Sequence, residues 1–300
     1  MKFKMVLLAM PAIFAGLSFI QQPEQVQLVA EGAKLEKIVE GLKFGEGPAV
    51  DKKGNIYFTD QPNDRIMMWD SEESKVSTFM QPSGRANGLT FDKKGNLWAA
   101  CDDKGEIWKI GPDKKVEKVV TEYEGKRLNG PNDVFVDKKG GVYFTDPFWV
   151  RDYWTDKTQP HKIMGVYYLK PDHKTVNRVI DDFQSPNGLH ITPDGKRIIV
   201  ADYRGRKTWS YAINKDGSLS DKKLFCEQGS DGLTIDANGN VYLCSRGVTI
   251  YNSNGEKIGN IEVPEQITNC CFGDKDMKTL YITGQTNLYR IRMNVKGIRG

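Results

Sequence analysis

The stretch Leu128-Asn-Gly-Pro-Asn-Asp-Val-Phe-Val-Asp-Lys-Lys-Gly-Gly-Val-Tyr-Phe-Thr-Asp146 decides the fold, because the rest of the chain repeats it with small changes. Val134 to Val136 and Val142 to Phe144 are short β-branched and aromatic runs. Asp137-Lys-Lys-Gly-Gly141 between them has the length and glycine content of a hairpin loop. The hairpin returns from Gly45 to Asp60, Ala86 to Trp98, Pro186 to Gly195 and Ser230 to Tyr242, and more faintly from Thr268 to Gly273 with Leu280 to Ile282. The polar residues that open the six copies are Glu46, Asn87, Asn132, Asn187, Asp231 and Asn269, at intervals of 41, 45, 55, 44 and 38.

A period of about forty residues built from short strands is the mark of a propeller in which each repeat supplies one four-stranded blade. Six copies predict an all-β, six-bladed β-propeller. After the hairpins come less regular pairs, such as Ile66 to Trp69 with Val76 to Phe79, which read as the outer strands of a blade. Gln25 to Ala30 and Lys34 to Val39 precede the first copy, and one of them is expected to complete the last blade, so that both termini meet in one sheet. The interval of 55 holds an insertion, Pro147 to His161.

With 39% hydrophobic residues, 300 residues can bury a large core, and that length is ordinary for one all-β domain. The segment from Met1 to Ile20 has two lysines and then an apolar run broken by Pro11, too short to span a bilayer comfortably. Residues 1–22 therefore read as a signal peptide and 23–300 as the propeller, with a secreted or periplasmic location and no membrane span in the mature protein. The formal charge of +4 becomes +2 without Lys2 and Lys4. The lysines sit in hairpin tips, and no basic stripe interleaved with aromatics points to nucleic acid. Cys101, Cys226, Cys244, Cys270 and Cys271 lack any metal-binding spacing and read as buried small hydrophobes without a disulfide.

The innermost strands of a propeller run in one direction, so the six opening residues should crowd around one mouth of the central channel. All six are acids or amides. Two carboxylates, Glu46 and Asp231, among neutral amide oxygens suit a hard divalent cation, with Ca²⁺ the expected ion. Asn-Gly and Asp-Gly are also turn chemistry, but here the polar residue precedes a strand rather than sitting in the hairpin turn. Antiparallel pairing should bring Asp60, Asp102, Asp146 and Asp202 to the same mouth, and Asp146, just before the insertion, is the candidate among them to touch substrate. Phe148, Trp149, Tyr153 and Trp154 of the insertion could wall that mouth. His161, His173 and His190 are scattered, and neither an HExxH zinc motif nor a GxSxG nucleophile elbow is present.

With Gly45-Glu-Gly-Pro48, Pro131-Asn-Asp133, Ser185-Pro-Asn-Gly188 and Ser230-Asp-Gly232 in that order, the chain resembles the SMP-30/gluconolactonase/LRE family, the regucalcin-like proteins, over about residues 40–290. The resemblance implies a six-bladed propeller with a divalent metal at the channel mouth. It places Glu46, Asn187 and Asp231 as metal ligands, with Asn132 as a further ligand or substrate contact. It also makes Asp231 the general base, and Asn132 and Asp133 a pair that meets substrate. Gly130 stands where the animal branch has an arginine. Asn87, Asp146 and Trp149 complete the candidate substrate-binding set. The implied activity is hydrolysis of a small-molecule lactone, a sugar aldonolactone first. Rival expectations are a metal-dependent aryl-ester or organophosphate hydrolase, and a non-catalytic propeller whose ring metal is structural.

Overall fold

In the computed structural model the quoted hairpin forms as read, with Val134 opposite Phe144 and Val136 opposite Val142. Asp137 organises the turn: its Oδ1 accepts from the backbone N–H of Lys139 (2.7 Å) and Gly141 (2.9 Å). Gly140 takes φ +87°, a conformation that a β-carbon disfavours. The same carboxylate device recurs at Asp51, Asp92 and Asp236, each accepting from amides two and four residues on. The repeated Asp-x-x-Gly is therefore turn chemistry, and it sits at the end of the hairpin opposite the acid and amide positions.

The structure describes residues 27–299. They form six four-stranded antiparallel sheets, the first of Gly45–Val50, Ile56–Asp60, Arg65–Asp70 and Lys75–Met80. The innermost strands of the other blades are Ala86–Phe91, Val134–Val136, Pro186–Ile191, Leu233–Ile235 and Ile267–Gly273. Each neighbours the next around a closed ring. Among the described residues the single helical segment is a 3-10 turn at Gln61–Asn63, and no helix is long and apolar enough to cross a membrane.

The last blade borrows its outer strand from the start of the chain. Glu36–Glu40 pairs with Asn287–Arg292, Glu36 opposite Arg290 and Glu40 opposite Asn287, and Arg290 Nε donates to Glu36 Oε2 at 2.8 Å. Of the two candidate strands it is thus Lys34 to Val39 that closes the ring. Val29 makes only an isolated bridge to Met293, and residues 25 and 26 lie outside the described residues, as does the expected signal segment 1–22.

Apolar side chains pack in six wedges, one between each pair of adjacent blades. Trp98 and Ile107 of the second blade meet Phe144 and Tyr167 of the third, and Phe58 and Trp69 of the first meet Tyr281 and Leu288 of the sixth. Because alternate residues of each strand serve alternate wedges, both faces of every blade are apolar. All five cysteines are free and buried in this packing.

Candidate active site at the channel mouth

Three of the ring residues, Glu46, Asn87 and Asn187, stand at a break in their strand's register. The pairing of the innermost strand with its neighbour shifts between Glu46 and Ala49, between Ala86 and Leu89, and between Pro186 and Leu189. A local bulge of this kind turns the strand and re-aims a side chain. The glycine that follows the ring residue is required by the next blade. Gly88 N–H donates to Asn132 O at 2.6 Å, and a β-carbon on Gly88 would lie 2.5 Å from that oxygen and 2.7 Å from Asp133 Cα. Gly188 meets Asp231 O in the same way. Gly88→Ala should therefore destabilise the fold by about 3 kcal/mol, the usual penalty for forcing atoms into a packed site. Denaturant unfolding would measure it, and an unchanged midpoint would refute this account of the Asn-Gly pairs.

Five of the six ring residues line one cavity of about 170 Å³ at the mouth: Glu46, Asn87, Asn132, Asn187 and Asp231, joined by Trp149. Asn269 does not join them. Its Oδ1 accepts from Cys270 N–H at 2.8 Å and its side chain is pressed against Gly232, so it is folded into the wall. Asp133 is also a wall residue, not a lining one. Its two oxygens accept from the backbone N–H of Val134 (3.0 Å) and Leu189 (3.1 Å), and the second bond ties the third blade to the fourth.

Asp146, the expected substrate contact, is not among the residues that line the cavity. Its carboxylate accepts from Asn129 N–H (2.9 Å) and Gly130 N–H (2.8 Å), fixing the backbone that leads to Asn132. Asp60 holds Lys43 and Phe44 N–H ahead of Glu46, and Asp202 holds Gln184 and Ser185 N–H ahead of Asn187. Asp102 breaks this pattern. Its Oδ2 accepts from three side chains instead, Arg151 Nε (2.6 Å), Tyr153 Oη (2.9 Å) and Gln61 Nε2 (3.0 Å).

The insertion docks through Asp102. Trp154 is buried, donates from Nε1 to Asp102 O at 3.1 Å and packs against Phe148, so it anchors the loop. Trp149 alone of the four aromatics reaches the cavity, edge-on to Tyr203 at 5.7 Å with the Arg204 guanidinium 4.2 Å from its ring centre.

Burial sets the electrostatics. The Glu46 carboxyl is raised well above its ordinary range, first by desolvation and then by the charge of Asp231. Asp231 is pushed up to about 7 by desolvation, against which the Asn187 amide and the Arg151 charge pull it down. Asn187 Nδ2 donates to Asp231 Oδ1 at 2.8 Å, so this amide holds the carboxylate. Asn87 Oδ1 is buried with no hydrogen-bond partner, and the Asn132 side chain makes no hydrogen bond among the described residues. Two mutually repelling carboxylates beside unpaired amide oxygens are what a hard divalent cation would satisfy, and the residues fit one. Among the described residues no three His, Cys, Asp or Glu side chains cluster, so such an ion would depend on those amides. His190 is remote from this chemistry: buried against Phe135, it is lowered to about 4 by desolvation.

Sequence reading missed Phe44, Arg151, Tyr203, Gln266 and Gln285, which also line the cavity. Tyr203 and Gln285 each directly follow the second strand of a blade, the position of Asp102 in its own repeat, so the repeat could have exposed them. Arg151 lies in irregular sequence and carries no such signal.

The family described as "SMP-30/Gluconolactonase/LRE-like region" matches residues 44–286. A gluconolactonase of Zymomonas mobilis subsp. mobilis is 30% identical, over 88% of this chain and 82% of that protein. A diisopropyl-fluorophosphatase of Loligo vulgaris is 25% identical, over 84% and 88%. The solved structure of a gluconolactonase from Xanthomonas campestris superposes with a TM-score of 0.82 at 26% identity, over 89% of this chain and 94% of that one. With its four motifs on one channel mouth and the family match spanning nearly the whole ring, the chain belongs to the SMP-30/gluconolactonase/LRE-like family.

Proposed function

We propose that this chain hydrolyses a small lactone, an aldonolactone first, with a divalent cation of the Ca²⁺ type held by Glu46, Asp231, Asn187 and Asn132. The observation that carries this reading is the buried pair Glu46 and Asp231, set among amides at one channel mouth, in a chain similar to a gluconolactonase along most of its length. Export of the protein is part of the proposal and rests on the sequence of residues 1–22.

When bound, such a cation supplies Lewis-acid polarisation of the lactone carbonyl, an effect worth roughly several kcal/mol. Asp231 takes the proton of the attacking water. General-base help of this kind is worth about 10²- to 10⁴-fold in rate. Asn187 is committed to holding Asp231 at 2.8 Å, and the unpartnered Asn132 amide is assigned as the donor for the oxygen that gains charge. Trp149 and Tyr203 cover one side of the cavity and limit water around the ring. At about 170 Å³ the cavity is small beside the roughly 300–1,000 Å³ usual for ligand sites, which favours a single-ring substrate.

The test is hydrolysis of an aldonolactone panel, followed by pH indicator, before EDTA, after EDTA and with Ca²⁺ restored. Turnover lost on chelation and regained with the ion is expected. A cation-loaded protein that opens no lactone would overturn the proposal. Likeness to a diisopropyl-fluorophosphatase favours a second reading, an organophosphate or aryl-ester hydrolase, and both substrate classes belong in the panel.

A further inference from the structure

Arg151 is the single cationic side chain among the residues that line the cavity. Its setting is built for that position. The insertion places it beside Asp102, whose Oδ2 accepts from Nε at 2.6 Å, while the arginine side chain remains about a quarter exposed. Among the described residues neither Nη1 nor Nη2 has a hydrogen-bond partner. The Nε edge of the guanidinium is thus held by Asp102, and the two terminal nitrogens are left without a partner. Glu46 and Asp231 line the same cavity as Arg151, and both feel its charge.

The space for this arrangement is made by Gly130. A β-carbon there would lie 2.9 Å from Asp102 Oδ1 and 3.2 Å from the Trp154 ring, so any larger residue would displace the carboxylate and the anchor of the insertion. Asp102 is also the strand-end aspartate that does not clamp its own blade's entering backbone. Its Oδ2 is shared among Arg151, Tyr153 and Gln61, so the negative charge is spread over three donors and is not spent on the guanidinium alone. An arginine held by one edge, with its terminal nitrogens free, matches the two oxygens of a carboxylate in a way that a point charge does not.

We infer that Arg151 is a specificity-determining residue that binds a carboxylate on the substrate, so that the preferred lactone is one formed by a sugar diacid, with a free carboxylate beyond the ring. This rests on the lactonase reading of the same cavity and narrows its substrate class. With the lactone ring at the carboxyl pair, the second acid group would reach Arg151, which lines the same cavity.

The experiment compares an aldarolactone with the neutral aldonolactone of the same ring size, on wild type, Arg151→Gln and Arg151→Lys. The expected result is a ratio of kcat/KM values, diacid over neutral, that favours the diacid in wild type. That ratio should fall about 10- to 100-fold in Arg151→Gln, mainly through KM, with partial recovery in Arg151→Lys. A ratio that stays the same in Arg151→Gln, even where both rates fall together, would show that the arginine serves only to balance charge or hold the loop, and would overturn the inference. Calorimetric titration with the open-chain dicarboxylate and monocarboxylate is the second measurement, because it needs no turnover. Tighter dicarboxylate binding that Arg151→Gln removes supports the inference even in a protein that opens no lactone, where only the hydrolase reading would fall. Equal binding of the two acids by wild type would overturn it.

Discussion

Asp231→Asn should lower kcat by about 10²- to 10⁴-fold while the propeller remains folded. The substitution is nearly isosteric and keeps an oxygen to accept from Asn187 Nδ2, so the bond now 2.8 Å long survives. What disappears is the capacity to take a proton. The change also removes one of two buried charges that raise each other's proton affinity, so the cation-free variant should melt at a higher temperature than cation-free wild type. Loss of rate with a gain in cation-free stability is a signature that simple disruption of the site would not give. Steady-state hydrolysis and thermal melting in EDTA measure the two halves. Hydrolysis at the wild-type rate would remove Asp231 from the role of base.

The second large effect concerns pH and the cation together. In the cation-free protein Asp231 holds its proton up to about 7, whereas in the unfolded chain it ionises near 4. Between these values the folded state binds more protons than the unfolded state, so stability is full at low pH and falls as pH rises toward 7. Asp133 and Asp146, both pushed up to about 7 by burial, add to the fall, and His190, lowered to about 4, opposes it below about 6.5. Those three groups are common to both forms, so the cleaner quantity is the rise in melting temperature on adding Ca²⁺. That rise should grow from pH 5 to pH 7.5, because the ion competes with protons for Glu46 and Asp231. A rise independent of pH would mean that these carboxylates do not hold the ion.

The repeat made most of this architecture readable. Alternating apolar residues, an aspartate that caps each hairpin turn and a polar residue at a fixed offset all depend on near neighbours in the chain, so they leave a visible period. The side chains that departed from expectation are governed by contacts between blades. Asn269 has the right offset, but whether it enters the cavity is decided by Gly232 of the previous blade and by its bond to Cys270 N–H. Asp133 looks like half of a substrate-binding pair until Leu189 N–H, 56 residues on, is found to occupy it. Arg151 depends on Asp102, 49 residues earlier and in another blade, through a loop with no periodicity. The ring positions were legible as a set, while the use made of each was set by the adjacent blade.

The pairing of Glu36–Glu40 with Asn287–Arg292 has a consequence for how the protein is made. At about 5–20 residues per second, the ribosome delivers the second partner on the order of ten to fifty seconds after the first. Until then the earliest strand has nothing to pair with, while each finished hairpin behind it can form locally. Joining ends separated by nearly the whole chain costs about 5 kcal/mol of loop entropy beyond a fixed term, and that is met in one late step. A nascent chain stopped short of Asn287 would carry several formed blades and two bare sheet edges, the kind of surface that pairs with other chains. Newly made protein is thus most exposed to misassembly at the very end of its synthesis, and its first strand is among the last to find its place.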